Sequence, residues 1–175
     1  MHKFLQLLTL LLIFIAFSST DARASEYYKR DYRVQYLVKD TGVTNVTIQV
    51  TLTNKTSDYY AVSDTLTVSF SEIENVSVRD PDGVIRPIIT KNDAGNDIAS
   101  TFNKKAVGNG KSLVYTIVFD TPNIARKDGK IWEINIPGLS NPDIVDSFTA
   151  EVKVPSSFGK PTYIKPTRQD GSLVF

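Results

Sequence analysis

Acid–base chemistry needs titratable side chains, and beyond the first two dozen residues this sequence offers carboxylates without imidazole or thiol. The single His is His2, the single Met is Met1, and Cys is absent. Ser-His-Asp and Cys-His nucleophilic catalysis are therefore excluded, as are zinc sites built from Cys and His and disulfides. A glycosidase needs only two carboxyl groups, so acid-only hydrolysis is the enzyme class that survives. Asp120, Glu133, Asp143, Asp146 and Glu151 are candidates by residue type. Their spacing singles out no pair, and Glu133 and Glu151 fall on outward positions beside polar neighbours. No catalytic residue and no cofactor is assigned.

Two other groups of side chains could bind without catalysing. Asp80 and Asp82, and then Asn92, Asp93, Asn96 and Asp97, place oxygen ligands near glycine, as calcium loops do. Neither stretch has the 12-residue EF-hand spacing, and Asp80-Pro81-Asp82-Gly83 is ordinary turn chemistry, so no metal ligand is assigned. The tyrosines concentrate in the first half, with Tyr27-Tyr28 and Tyr59-Tyr60 as adjacent pairs. Neighbours in a strand point to opposite faces, so one ring of each pair is expected outside, where Tyr serves recognition of proteins or glycans. These four form the candidate binding face. Asn45, Asn54 and Asn75 each open a glycosylation sequon.

The elements that would position these residues are strands. Tyr32, Val34, Tyr36 and Val38 share one phase of a period-2 pattern, as do Val46, Ile48, Val50 and Leu52. Leu66, Val68 and Phe70 form a third inward set, and Leu113, Tyr115, Ile117 and Phe119 a fourth. Pro87 removes a ladder donor from the apolar run Val84–Ile89, which places that strand at an edge or a bulge. Lys91–Asp97 reads as a loop and Asn123–Lys127 as a short helical turn. Trp132, Ile134 and Ile136 alternate with Glu133 and Asn135, which makes Trp132 a core residue. The last strand turns Phe148, Ala150, Val152 and Val154 inward. About nine strands at this spacing predict an all-β, antiparallel, immunoglobulin-like sandwich over residues 25–154.

Residues 1–24 read as a signal-peptide helix. Lys3 precedes the apolar run Phe4–Phe17, and Ala22-Arg23-Ala24 supplies a small-x-small cleavage pattern before Ser25. Export to the periplasm, cell surface or medium is expected. Contact with a membrane is expected only through an uncleaved leader or a part beyond this sequence. Without Lys3, Arg23 and Asp21, the 20 basic and 19 acidic residues fall to 18 each. A nucleic-acid partner would call for a basic excess, and none is expected. Residues 155–175 carry Pro155, Pro161 and Pro166 among polar residues, the texture of an extended linker, and Ser172-Leu173-Val174-Phe175 reads as the start of a further domain.

Three stretches carry a family resemblance. They are Gly110-Lys111-Ser112 before an aromatic strand, Gly129-Lys130-Ile131-Trp132 leading to Ile136-Pro137, and Ser157-Phe158-Gly159-Lys160-Pro161. Together they resemble the N-terminal region of exported bacterial proteins that carry a transglutaminase-like domain further along. The resemblance implies an accessory β-sandwich, a spacer or interaction module beside an enzyme. The Cys-His-Asp set of such a domain has no matching positions here. The alternatives are a free-standing surface module for a glycan or protein and, behind it, the acid-only hydrolase.

Overall fold

A computed structural model describes residues 27–138 and 144–164. Ala22, Ala24 and Ser25 at the expected cleavage point, and Asp143, lie outside these residues. Eleven strands succeed one another: β1 (Tyr28–Val38), β2 (Thr44–Asn54), β3 (Ser63–Val68), β4 (Glu74–Asp80), β5 (Gly83–Ile85), β6 (Ile88–Asn92), β7 (Gly95–Thr101), β8 (Ser112–Thr121), β9 (Ala125–Asp128), β10 (Ile131–Ile134) and β11 (Ser147–Lys153). They form a six-stranded sheet ordered β11-β1-β2-β8-β4-β5, a three-stranded sheet β3-β7-β6 and the hairpin β9-β10. The fold is an all-β sandwich.

Its core is the alternation read from the sequence. Tyr32, Val34, Tyr36 and Val38 of β1 are buried, as are Val46, Ile48, Val50 and Leu52 of β2 and Leu113, Tyr115, Ile117 and Phe119 of β8. Register brings these sets level, with Val34 opposite Ile48 and Ile48 opposite Ile117. The smaller sheet adds Val68, Ile98 and, just past its strands, Phe70 and Phe102. Rings join the layers: Phe70 meets Phe119 at 5.7 Å and Phe102 meets Tyr115 at 4.9 Å between centroids. Offset aromatic pairs of this kind add to simple area burial.

Three sequence expectations about strand content are decided at Pro87, at Lys91–Asp97 and at the connection after β8. The run Val84–Ile89 is broken at Arg86-Pro87, so that β5 ends the large sheet and β6 ends the small one. A residue without an N–H fits where the chain leaves one ladder for another. The segment expected to hold a helical turn instead holds β9, anchored by buried Ile124 and Ala125. The loop expected at Lys91–Asp97 is also mostly strand: β6 and β7 form a hairpin over Asp93-Ala94, and Asn92 Oδ1 accepts from Ala94 N at 2.8 Å. Gly95 is indispensable there. With φ +135°, its Cβ would stand 2.1 Å from the carbonyl oxygen of Val68.

Two burial expectations fail. Trp132 is half-buried, because β10 pairs only with β9 and sits outside both sheets. Ile134 and Ile136 reach the core from that strand, whereas Trp132 covers the turn at Gly42 and stacks on Phe158 at 4.1 Å and 7°. In β11, Phe148 and Ala150 are exposed and Val152 is only partly covered. This strand lies at the sheet edge, paired with β1 alone and in parallel.

Past β11 the chain turns back on the domain. Ser156–Phe158 form one 3-10 turn, Phe158 stacks on Trp132, and Ser157 Oγ donates to Asp40 Oδ1. The first residues of the proline-containing segment are thus docked. Among the described residues, no helix is long and apolar enough to cross a membrane.

Candidate functional site

The four candidate tyrosines come together. Tyr27 and Tyr28 enter β1, and Tyr59 and Tyr60 lie in the connection between β2 and β3. The rings of Tyr27 and Tyr59 meet at 5.0 Å between centroids, tilted by 49°. Their neighbours turn the other way: Tyr28 and Tyr60 line a cleft of about 350 Å³ with Leu52, Val62, Ser63 and Thr65 among its walls. The Lys105 ammonium stands 5.2 Å from the centre of the Tyr60 ring, a cation–π arrangement. Each adjacent pair thus gives one ring to the cleft, Tyr28 from the start of β1 and Tyr60, 38% exposed, from the loop between β2 and β3. Burial raises the Tyr28 pKa.

One side chain organises this rim. Asn54 is 1% exposed. Its Nδ2 donates to the carbonyl oxygens of Tyr59 and Ala106, and its Oδ1 accepts from Thr56 N at 2.8 Å and Thr56 Oγ1 at 3.1 Å. Its backbone carbonyl accepts from Gly110 N at 2.7 Å. The sequon at Asn54 is therefore closed to a glycan in the folded state, since Nδ2 is enclosed by protein. Asn45 and Asn75 both donate to Asp120, at 2.9 and 3.2 Å. Asn75 holds φ +54° where the β4–β8 register slips, a conformation that Asn tolerates better than most residues.

The floor of the cleft is ionic. Arg30 Nη1 donates to both oxygens of Asp64 at 3.0 Å, and the Tyr115 hydroxyl donates to Asp64 Oδ2 at 2.7 Å. Arg30 and Asp64 are each 8% exposed. Burial opposes the Arg30 charge, but Asp64 and the Tyr32 hydroxyl more than compensate, so its pKa is raised. Burial, and then the Asp64 charge and hydrogen bond, push the Tyr115 hydroxyl well above its ordinary value. The Nε–H of Arg30 is buried without a hydrogen-bond partner. The sequence carries a signal for this pair. Asp64 lies in the inward phase of Leu66 and Val68, and Arg30 in that of Tyr32 and Val34.

The carboxylates considered for hydrolysis are dispersed in structural roles. Asp120 accepts from Asn45, Asn75 and Lys39, and those bonds hold its pKa below the ordinary value. Asp146 Oδ2 accepts from the backbone N of Arg30 at 2.8 Å, and Asp146 N donates to the Arg30 carbonyl, which seats β11 on β1. Glu151 accepts from Gln35, its partner in register, at 2.8 Å, and its pKa is likewise lowered. Glu133 is exposed on β10.

The oxygen-rich turns bind their own backbone. Asp80 Oδ1 accepts from the N–H groups of Asp82 and Gly83, while Oδ2 accepts from those of Asn103 and Lys104 at 2.7 and 2.9 Å. Burial works to raise its pKa, yet these bonds together lower it. Asn96 donates to the Phe70 carbonyl, and Asp97 accepts from Thr67 and Asn92. Among the described residues, no three His, Cys, Asp or Glu side chains are grouped to hold a metal ion.

No family model matches the chain, and no curated protein matches it. Solved structures with a related outline include M1 zinc metallopeptidases. A two-domain M1 zinc metallopeptidase mutant bound to L-arginine aligns with 75% of this chain and 33% of its own, at 12% identity and a TM-score of 0.45. An M1 zinc metallopeptidase mutant from Deinococcus radiodurans, bound to a Tyr-Ser-Ala substrate, aligns with 63% of this chain and 25% of its own, at 9% identity and 0.42. This chain thus spans a third or less of those proteins, and likeness of this depth carries no argument about function.

Proposed function

We propose that the chain is a non-catalytic, exported β-sandwich module that binds a glycan or protein at the cell surface through its tyrosine-rimmed cleft. The observation that supports this is convergence. One ring of each tyrosine pair, Tyr28 and Tyr60, lines the same cleft over a buried ion pair, while Tyr27 and Tyr59 pack on each other beside it. Small-ligand sites typically combine aromatic walls with a few convergent polar groups. Aromatic rings exposed at a rim are also the residues that anchor interfaces. The test is a Tyr59→Ser/Tyr60→Ser variant beside the unaltered chain on a glycan array and on intact producing cells. Binding by the unaltered chain that the variant loses supports the reading. Equal signals from both proteins, or none from either, overturn it.

The same module is proposed as the leading part of a longer, membrane-associated protein with a transglutaminase-like domain. The sequence stretches around Gly110, Gly129 and Ser157 support that context. Docking of Ser157 and Phe158 on the domain would give a following part a fixed point of departure. The reading frame past Phe175 decides it: a Cys- and His-bearing domain supports the proposal, and a stop codon in a complete gene removes it.

A further inference from the structure

We infer that the cleft takes a single neutral sugar ring, a pyranose whose C–H face lies on Tyr28 and Tyr60 and whose hydroxyls meet the Arg30–Asp64 floor. This rests on the cleft being the binding site proposed above.

Size, lining and charge each contribute. A volume of about 350 Å³ is near the lower end of the ~300–1,000 Å³ usual for small-ligand clefts, so it suits one ring better than an extended chain. The walls offer Tyr28, Tyr60 and Val62 beside the polar Ser63 and Thr65, whereas Arg30 and Asp64 form the buried floor. A fitting ligand needs one apolar face and one polar edge, which is the anatomy of a pyranose.

Charge selects a neutral ligand. Arg30 and Asp64 already neutralise each other at 3.0 Å, so an anion or cation would leave water without a free countercharge at the floor, an expensive transfer. Lys105 stands over Tyr60, exposed at the rim. A hydroxyl both donates and accepts. Asp64 accepts three bonds of the about four a carboxylate can take, so one hydroxyl can add to this floor without separating the ion pair.

The test uses the whole chain, ¹⁵N-labelled, titrated with the methyl glycosides of glucose, galactose and N-acetylglucosamine. Glucuronate serves as the anionic probe and N-acetyltyrosinamide as the peptide-like one. At least one neutral glycoside is expected to shift the backbone amides of Tyr28 and residues 60–65, with millimolar affinity. Tyr60→Ala should weaken it about tenfold, the loss expected when one aromatic contact is removed. Unchanged amide positions for Ile98 and Ile117 would establish that this variant keeps its core. Tighter binding of glucuronate, or of N-acetyltyrosinamide at the same amides, overturns the neutral-sugar assignment and leaves a binding cleft. If none of the probes moves a cleft amide, the sugar assignment and the cleft reading fall together.

Discussion

Removing the Asp64 carboxylate should be among the most damaging single substitutions in the sandwich. Asp64→Leu leaves the Arg30 side chain, only 10% exposed, without its countercharge. It also removes the acceptor of the Tyr115 hydroxyl. Breaking one half of a buried ion pair costs about 3–5 kcal/mol, against about 5–15 kcal/mol for the whole domain. With a urea slope of about 1–3 kcal/mol/M, the denaturation midpoint should fall by roughly 2 M. Replacing all three polar partners, as Arg30→Met/Asp64→Leu/Tyr115→Phe, removes the stranded charge and both hydroxyl and carboxylate demands. That variant should return to within about 1.5 kcal/mol of the unaltered protein, because buried pairs gain little over apolar substitutes. The assay is equilibrium urea unfolding followed by far-ultraviolet circular dichroism, with equal slopes required before midpoints are compared. A loss below about 1 kcal/mol for Asp64→Leu, or a triple variant no more stable than Asp64→Leu, would falsify the account of a costly but mutually dependent trio.

Other perturbations draw on the same geometry. Asp80→Asn puts an amide N–H₂ where one oxygen now accepts from two N–H groups, and should cost about 2–4 kcal/mol by chemical denaturation; an unchanged midpoint would remove Asp80 from its bracing role. Asp31, Asp80, Asp120 and Glu151 have folded pKa values below their ordinary ones, so their stability is present above about pH 4.5 and lost as pH falls through the folded values. Thermal melts between pH 7 and 2.5 should show that decline, and a flat profile would contradict it. Burial pushes Tyr36 up to about 12, so stability should fall from about pH 10, where the unfolded tyrosine ionises, through that folded value. Tyrosinate absorbance that rose fully by pH 10.5 in the folded protein would refute this. Gly95→Ala should cost upward of about 3 kcal/mol, since Cβ collides with backbone rather than with a movable side chain. Phe158→Ala should red-shift Trp132 emission by uncovering one indole face, while an unshifted spectrum would mean that the stack does not persist in solution.

Much of the sandwich was legible because the information is local. The inward sets of β1, β2 and β8 are uninterrupted period-2 runs, and each is buried as its phase demands. The exposure of β11 was not legible, because its alternation is real but burial depends on what faces it. Trp132 failed for a related reason: β10 has the texture of a core strand, yet it pairs with β9 alone. The tyrosine pairs could be flagged from adjacency, whereas their meeting depends on Asn54 folding the Asn54–Tyr60 loop back over the start of β1. Asp64 and Arg30 sit in hydrophobic phase and were readable in principle. What hides them is that one charge in an apolar phase looks like a break in the pattern until its partner is placed.

The parallel pairing of β1 with β11 has a mechanical consequence. A pull on the chain before Tyr28 and after Lys153 draws these neighbours along their lengths in opposite directions. The paired positions, from Asp31 opposite Ser147 to Leu37 opposite Lys153, then carry the load together in shear. An antiparallel pair pulled from adjacent ends would open like a zip, one rung at a time. The side-chain bonds Gln35–Glu151 and Asp31–Ser147 lie along the same seam and share that load. A module of this design resists stretching most strongly along the line through the start of β1 and the end of β11.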